Sequence, residues 1–218
     1  MTTAVIVFAK APVPGFAKTR LAPALGEAGA AALAERMLRH ALEQAVAADI
    51  GPVELCATPD APHPTLQAMA AGCGATLAAQ GPGDLGARMA RALGRQLRRW
   101  PRALLIGTDS PALGAWHLQE AARALDEHDA VFVPTHDGGY VLVGQRRPGC
   151  ARCFRGMTWS HPRVMDETRP RLAEAGLRWA ELSPVHDIDD PADLASLPPD
   201  WCNAPPAARC GKGLDRGD

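Results

Sequence analysis

Several absences narrow the chemistry open to this chain. It has almost no net charge, with Lys+Arg 23 against Asp+Glu 24 and a balance of -1, so it has no excess of positive charge with which to grip a polyanion. Nucleic acid is therefore not an expected partner. No apolar stretch is long enough to span a bilayer, and the start shows neither a basic leader region nor a cleavage site. A cytoplasmic protein with no membrane partner is the expectation. The six cysteines are irregularly scattered and read as reduced thiols rather than a disulfide framework. Cys150 and Cys153 have redox or zinc spacing, but no second Cys pair or paired His accompanies them. No internal repeat is visible.

What is present is an alternation of strand and helix. The chain has 218 residues, 47% of them hydrophobic, enough for one substantial α/β core spanning residues 1–197. From residue 198 onward Pro, Gly, Ala and charge predominate, and a poorly ordered tail is expected. Oligomeric state leaves no trace in the sequence.

The informative centre is the run Leu104-Leu105-Ile106-Gly107-Thr108-Asp109-Ser110-Pro111. An apolar strand that stops in Gly-Thr-Asp delivers a carboxylate at its carboxyl end, where open α/β sheets hold ligands. Asp109 is either such a ligand residue or a cap for the helix after Pro111. A β-branched run over residues 3–9 feeds a loop, residues 10–23, that carries Lys10, Lys18 and Arg20 and no acid. Such a loop either meets phosphate oxygens or is simply solvated. It is not a P-loop, because Pro12 and Ala17 stand where that motif needs glycine.

Residues 27–48 form an amphipathic helix pattern, followed by a strand at 52–57, a helix at 64–71 and a strand at 75–79. Gly81 to Gly86 spells GxGxxG, but Pro82 and Asp84 make it a poor pyrophosphate cradle. The helix over 84–100 carries an apolar stripe, and Arg88 in its first turn opposes the helix dipole, which hints at a ligand or acidic partner. A helix over 115–127 precedes two strand patterns around His136-Asp137-Gly138, a hairpin signal in which Asp137 is a turn residue or a site residue. Another helix pattern starts near Ser160, with Pro162 in its first turn and a kink expected at Pro170. After a last strand at 177–182, Asp187 and Asp189 alternate with Ile188, so an extended backbone points both carboxylates the same way. Asp190-Pro191 reads as the start of a short helix with Asp190 as its cap.

FAKAPVPGFAKTRL, GDLGARM, IGTDSPAL, THDGGYVLVG, Trp159 and HDIDDPADL, in this order, resemble the glycosyltransferase-A-like transferases named for arsenosugar biosynthesis and for radical-SAM/selenodomain gene neighbourhoods. That group is similar in turn to nucleotidyltransferases acting in molybdopterin, phospholactate and CMP-Kdo chemistry. The resemblance implies a nucleotide-diphospho-sugar transferase fold, a three-layer α/β sandwich with a mixed, mostly parallel sheet. It also implies that Lys18 and Arg20 hold the nucleotide phosphates and that Gly86 and Arg88 lie near the nucleotide or acceptor; Lys10 and Gly15 of the first loop complete the expected nucleotide-binding set. By the same resemblance Asp109 and Asp189 would bind a divalent metal, Mg²⁺ or Mn²⁺, and Asp137 would face the acceptor; on chemical grounds Asp137 or His136 could take the acceptor's proton. Asp190 departs from these relatives, which carry Thr there. The expected activity is metal-dependent glycosyl transfer from a nucleotide sugar to a small-molecule acceptor. The alternatives are nucleotidyl transfer from an NTP with pyrophosphate release, or nucleotide binding without catalysis.

Overall fold

The computed structural model describes residues 1–59, 63–146, 153–198 and 201. Cys150 of the CxxC pair and most of the 198–218 tail lie outside these residues. Among the described residues, Cys56, Cys73 and Cys153 are free thiols, and no helix is long and apolar enough to cross a membrane.

Seven strands form one sheet in the order β3-β2-β1-β4-β6-β5-β7. These are β1 (Thr3–Lys10), β2 (Val53–Thr58), β3 (Thr76–Ala79), β4 (Arg102–Ile106), β5 (Ala130–Pro134), β6 (Tyr140–Gln145) and β7 (Trp179–Glu181). Only β6 runs against its neighbours, β4 and β5, and every other pairing is parallel. The sheet is therefore mixed and mostly parallel. The helices are α1 (Ala22–Ala47), α2 (Pro64–Gly72), α3 (Leu85–Leu97), α4 (Ala115–Ala124) and α5 (Val164–Glu174).

The alternation of side chains along each strand builds the two outer layers. Val5 and Val7 of β1 pack with Leu38 and Leu42 of α1, Leu66 of α2 and Leu118 of α4 on one face. Ile6 packs with Met89 and Leu93 of α3 and Met165 and Leu172 of α5 on the other. Both faces of β1 and β4 are covered, which is why these strands read as nearly continuous apolar runs. Large side chains such as Ile6, Leu104 and Phe132 are almost wholly buried, each contributing about 1.5–3 kcal/mol through removal from water.

Several boundaries differ from the sequence pattern, each for a local reason. The first helix has an extra turn ahead of residue 27, joined to it through Gly26 at φ 70 and ψ 163. The helix expected near Ser160 begins at Val164, because Ser160 adopts a left-handed φ of 63 and Pro162 precedes the helix. The α4 pattern unravels into turns after Ala124, with Asp126 N–H on the Arg123 carbonyl. The last strand shortens to Trp179–Glu181. Between β5 and β6 the connection is a five-residue loop rather than a two-residue turn, closed by Thr135 N–H on the Gly139 carbonyl at 3.0 Å.

The winding of the chain fixes where a ligand can sit. From β1 the chain steps outward to β2 and β3, then returns to β4 on the other side of β1. The carboxyl ends of β1 and β4 thus flank the point where winding reverses, which opens a crevice in sheets of this kind. Lys10 ends β1 there, and Gly107-Thr108-Asp109 leaves β4 beside it.

One backbone position holds the β5–β6 loop at this edge. Gly138 has φ +89, and a Cβ there would lie 1.9 Å from the Pro162 carbonyl oxygen. Gly138→Ala is expected to destabilise the fold by at least about 1–3 kcal/mol, from backbone strain alone, read as a lower urea midpoint with unchanged slope. A variant as stable as the parent would mean that this loop is free to relax.

Candidate functional site

The site is built around Lys18. The loop after β1 turns through a left-handed residue at Lys18, φ 49 and ψ 42, before a 3-10 turn over Thr19–Leu21. That turn sends the Lys18 side chain back over the sheet edge, where it is only 10% exposed. Its ammonium lies 2.5 Å from Asp109 Oδ1 and 2.9 Å from Asp189 Oδ1, and donates to the Ile188 carbonyl at 2.6 Å. Three acceptors thus meet the three donors of one ammonium. Burial pulls the Lys18 pKa down, but the charges and hydrogen bonds of Asp109 and Asp189 outweigh it and hold the pKa above its ordinary value.

Asp189 reaches this point because the segment after β7 is stitched across the sheet edge. Val185 N–H donates to the Pro134 carbonyl at 3.0 Å and Ile188 N–H to the Asp109 carbonyl at 2.8 Å. The Ser110 hydroxyl donates to the His186 carbonyl at 2.6 Å. Asp193 Oδ2 then accepts from the N–H groups of Asp189 and Asp190 at 2.9 and 2.7 Å, so Asp193 secures the turn in which Asp190 holds the cap position. Asp187 lies close enough to Asp189 for their charges to interact. Burial, together with the charges of Asp137, Asp189 and Asp109, pushes its carboxyl up to about 6. Four aspartates therefore share one electrostatic neighbourhood with a single buried ammonium.

A cleft of about 630 Å³ opens over this group. Of the sequence candidates it is lined by Lys10, Lys18, Arg20, Arg88, Asp109, Asp137 and Asp189. Lys10 and Arg88 lie toward β1 and β3, while Asp137 and Tyr140 lie toward β5 and β6. Arg88 donates to the Gln80 side-chain oxygen at 2.9 Å, and the Gln80 amide in turn donates to the Ala9 carbonyl at 2.9 Å. Asp137 Oδ1 accepts from the Thr135 hydroxyl at 2.5 Å and the Gly139 N–H at 2.9 Å. The Tyr140 ring, which lines the cleft, is backed by Phe132 edge-on at 5.1 Å and by Trp159 at 6.4 Å.

Three expected residues lie elsewhere. His136 is exposed and its ring rests against His186 at 4.2 Å, outside the cleft lining. Alternation explains this: Thr135 and Asp137 share one side of the loop and His136 takes the other. Gly86 is buried in α3, where a Cβ would stand 2.6 Å from the Phe154 carbonyl oxygen and 3.0 Å from Trp159; its lack of a side chain serves packing. Gly15 is an exposed turn glycine, φ +73, beside Glu27. Lys18 is present at the site, but its donors are spent on protein acceptors rather than open to a phosphate.

Gln80, Ser110 and Thr135 were not legible as site residues. Gln80 follows a strand pattern directly, a position from which a polar side chain reaches the ligand edge, and that signal was available. Ser110 and Thr135 act on groups distant in sequence or within a loop whose shape the hairpin pattern misjudged.

This combination of a mixed sheet, a crevice at its winding reversal and carboxylates beside basic groups defines an α/β fold of the nucleotide-diphospho-sugar transferase kind. The chain belongs to the family described as "Uncharacterized protein conserved in bacteria (DUF2064)", which matches residues 27–161. A crystal structure from Desulfovibrio desulfuricans G20, assigned to the nucleotide-diphospho-sugar transferases, is 29% identical with a TM-score of 0.79, covering 87% of this chain and 84% of that one. CMP:2-keto-3-deoxy-manno-octonic acid synthetase complexed with CTP shares the fold at 11% identity and a TM-score of 0.56, over 90% and 96% of the two chains. Glucosyl-3-phosphoglycerate synthase from Mycobacterium tuberculosis, in complex with Mn²⁺, UDP and glucosyl-3-phosphoglycerate, does so at 11% and 0.54, over 89% and 75%. No curated protein matches the sequence.

The reassignment of Gly86 is testable. Gly86→Ala is expected to cost about 1–3 kcal/mol through overpacking while leaving nucleotide affinity of the folded protein unchanged. Normal stability with lost nucleotide binding in calorimetry would return Gly86 to the site.

Proposed function

We propose that this protein is a transferase acting on a nucleotide-diphospho-sugar donor and a small-molecule acceptor, with a divalent cation as cofactor. The observation that carries this reading is the convergence of Asp109 and Asp189 on one cation position, 2.5 and 2.9 Å from the Lys18 ammonium, at the winding reversal of the sheet. Both carboxylates are close to half exposed, at 48% and 42%, so each has capacity facing the cleft. Hard cations such as Mg²⁺ are held in this manner, by one or two carboxylates together with substrate phosphates. Among the described residues no three or more His, Cys, Asp or Glu side chains cluster as metal ligands, so Asp109 and Asp189 fit the group as the two-carboxylate part of a set that substrate phosphates complete. Bound there, a divalent cation would supply positive charge against that gathering on a departing diphosphate.

The remaining roles fall to the protein's own side chains. Lys10, Arg20 and Arg88 line the β1 side of the cleft and hold phosphate oxygens through charge-assisted hydrogen bonds. Gln80 fixes the direction of Arg88. Across the cleft, Asp137 orients the acceptor hydroxyl and receives its proton as that oxygen attacks the sugar carbon. The bond from this carbon to the diphosphate oxygen breaks, and a nucleoside diphosphate leaves. The likeness to the Desulfovibrio structure supports glycosyl transfer by analogy of fold and sequence. Nucleotidyl transfer is a second reading, favoured by the basic loop directly after β1; there the α-phosphate bond breaks and pyrophosphate leaves.

Product analysis separates the two. Release of a nucleoside diphosphate from nucleotide sugars is expected across a panel of acceptors, and pyrophosphate release from an NTP instead would overturn the choice. Neither product with any acceptor would leave nucleotide binding alone. In a thermal-shift series with Mn²⁺ and a nucleoside diphosphate, Asp109→Asn is expected to fold and to lose the metal-dependent part of the stabilisation. Equal stabilisation of the parent in EDTA would make Asp109 a structural cap. Arg20→Ala and Arg88→Ala should each weaken nucleotide binding by about 1.5–3 kcal/mol, measured by calorimetry; unchanged affinity in both would remove the basic wall from the site.

A further inference from the structure

The Lys18 ammonium and a divalent cation need the same two carboxylates. We infer that Lys18 is a resident counter-cation that holds Asp109 and Asp189 together in the ligand-free protein and must withdraw from them when a divalent cation binds. This rests on the reading that such a cation binds between these two aspartates.

The geometry makes the competition direct. The ammonium is close to both Oδ1 atoms, at 2.5 and 2.9 Å, and a second cation in the same place would face it at contact distance. Lys18 is tied to the protein by one further bond, to the Ile188 carbonyl at 2.6 Å, so its departure breaks three hydrogen bonds at once. What permits this is its position on the loop after β1. Its neighbours Thr19 and Arg20 are exposed, and the side chain has four carbons over which to swing. Without Lys18, Asp109, Asp187 and Asp189 would stand together uncompensated, a costly arrangement in a site partly screened from water. The lysine thus makes the cation site affordable to the free protein and weakens it toward cations that arrive without a ligand.

A state with Lys18 engaged lowers apparent cation affinity by the fraction of molecules left open. If the engaged form makes up about nine-tenths of the population, the loss is about tenfold. A released Lys18 is left at the cleft with its donors free for a donor phosphate, so cation and nucleotide should bind each other's form of the protein preferentially, with reciprocal strength.

Manganese alone, titrated into the full chain and followed by the electron paramagnetic resonance of free Mn²⁺, tests this. Lys18→Met is expected to bind Mn²⁺ about tenfold or more tightly than the parent, and adding Asp109→Asn should abolish the gain. Equal affinity of parent and Lys18→Met, with binding dependent on Asp109, would overturn the inference and leave the cation site standing. No Mn²⁺ binding to either form, with or without a nucleoside diphosphate, would overturn both. Should Lys18→Met fail to fold, the parent carries the test. The chain has only three lysines, so amine acylation can be read residue by residue by mass spectrometry. Lys18 should react more slowly than Lys10 in metal-free buffer and several-fold faster once Mn²⁺ is present. A Lys18 rate that Mn²⁺ leaves unchanged, while Mn²⁺ binds, would show that the lysine stays in place and would sink the idea.

Discussion

The ion triad of Lys18, Asp109 and Asp189 joins three parts of the chain that lie far apart in sequence. Lys18 belongs to the loop after the first strand, Asp109 to the end of the fourth, and Asp189 to the segment that follows the last. An ammonium at 10% exposure has lost most of its water and needs fixed acceptors in exchange. It finds three, and they hold the two distant segments against the carboxyl edge of the sheet. Deleting one partner of a fully buried pair costs about 3–5 kcal/mol; the half-exposed carboxylates here make the cost smaller, yet the same logic decides which groups face the cleft.

The sheet sets the terms of this meeting. Because winding reverses between β1 and β4, their carboxyl ends lie side by side without a crossover covering them. Asp109 is then placed by a strand buried on both faces, a rigid support for a group whose position matters. Asp189 has no strand under it. Its place is secured by backbone hydrogen bonds from Val185 and Ile188 to neighbouring carbonyls and by the Ser110 hydroxyl. Gln80 does the equivalent for Arg88, since its own amide is anchored on the backbone of β1 and β2. The site therefore stands on a second layer of neutral polar groups that carry none of its charge.

The layers and the strand order class were legible because they depend on local periodicity. Continuous apolar runs mark the central strands, 3.6-residue stripes mark the helices, and the abrupt Gly-Thr-Asp marks the end of β4, where the chain lines the cleft. Alternation in Asp187-Ile188-Asp189 fits a buried Ile188 between two carboxylates whose charges interact. What periodicity does not contain is the direction of a long flexible side chain. Lys18 looked like a phosphate ligand because its loop holds no acid, and the acids it pairs with lie 91 and 171 positions further along the chain. His136 and Gly86 failed for a related reason. Both sit inside motifs that reach the cleft, but a motif is a stretch of chain, and adjacent residues in it face opposite ways. His136 points away while Asp137 points in, and Gly86 fits under the Phe154 carbonyl while Arg88, two positions on, lines the cleft.

Gathering acids at one point sets a physical problem of its own, because like charges in a partly buried place repel. Repulsion among Asp109, Asp137, Asp187 and Asp189 is already visible in the carboxyl of Asp187, pushed up to about 6 by burial and by those neighbours. A protein can answer such repulsion by protonating a carboxylate, by letting the segment drift into water, or by keeping a cation of its own in place. Protonation would disable a ligand near neutral pH, and drift would undo the stitching of residues 185–189. A lysine avoids both costs because its charge is covalently present and its position is reversible. An arginine in the same place would satisfy the carboxylates through a planar, bidentate fork and be harder to displace. The more compact cation at residue 18 is thus one that keeps the edge of the sheet assembled by neutralising the carboxylates gathered there.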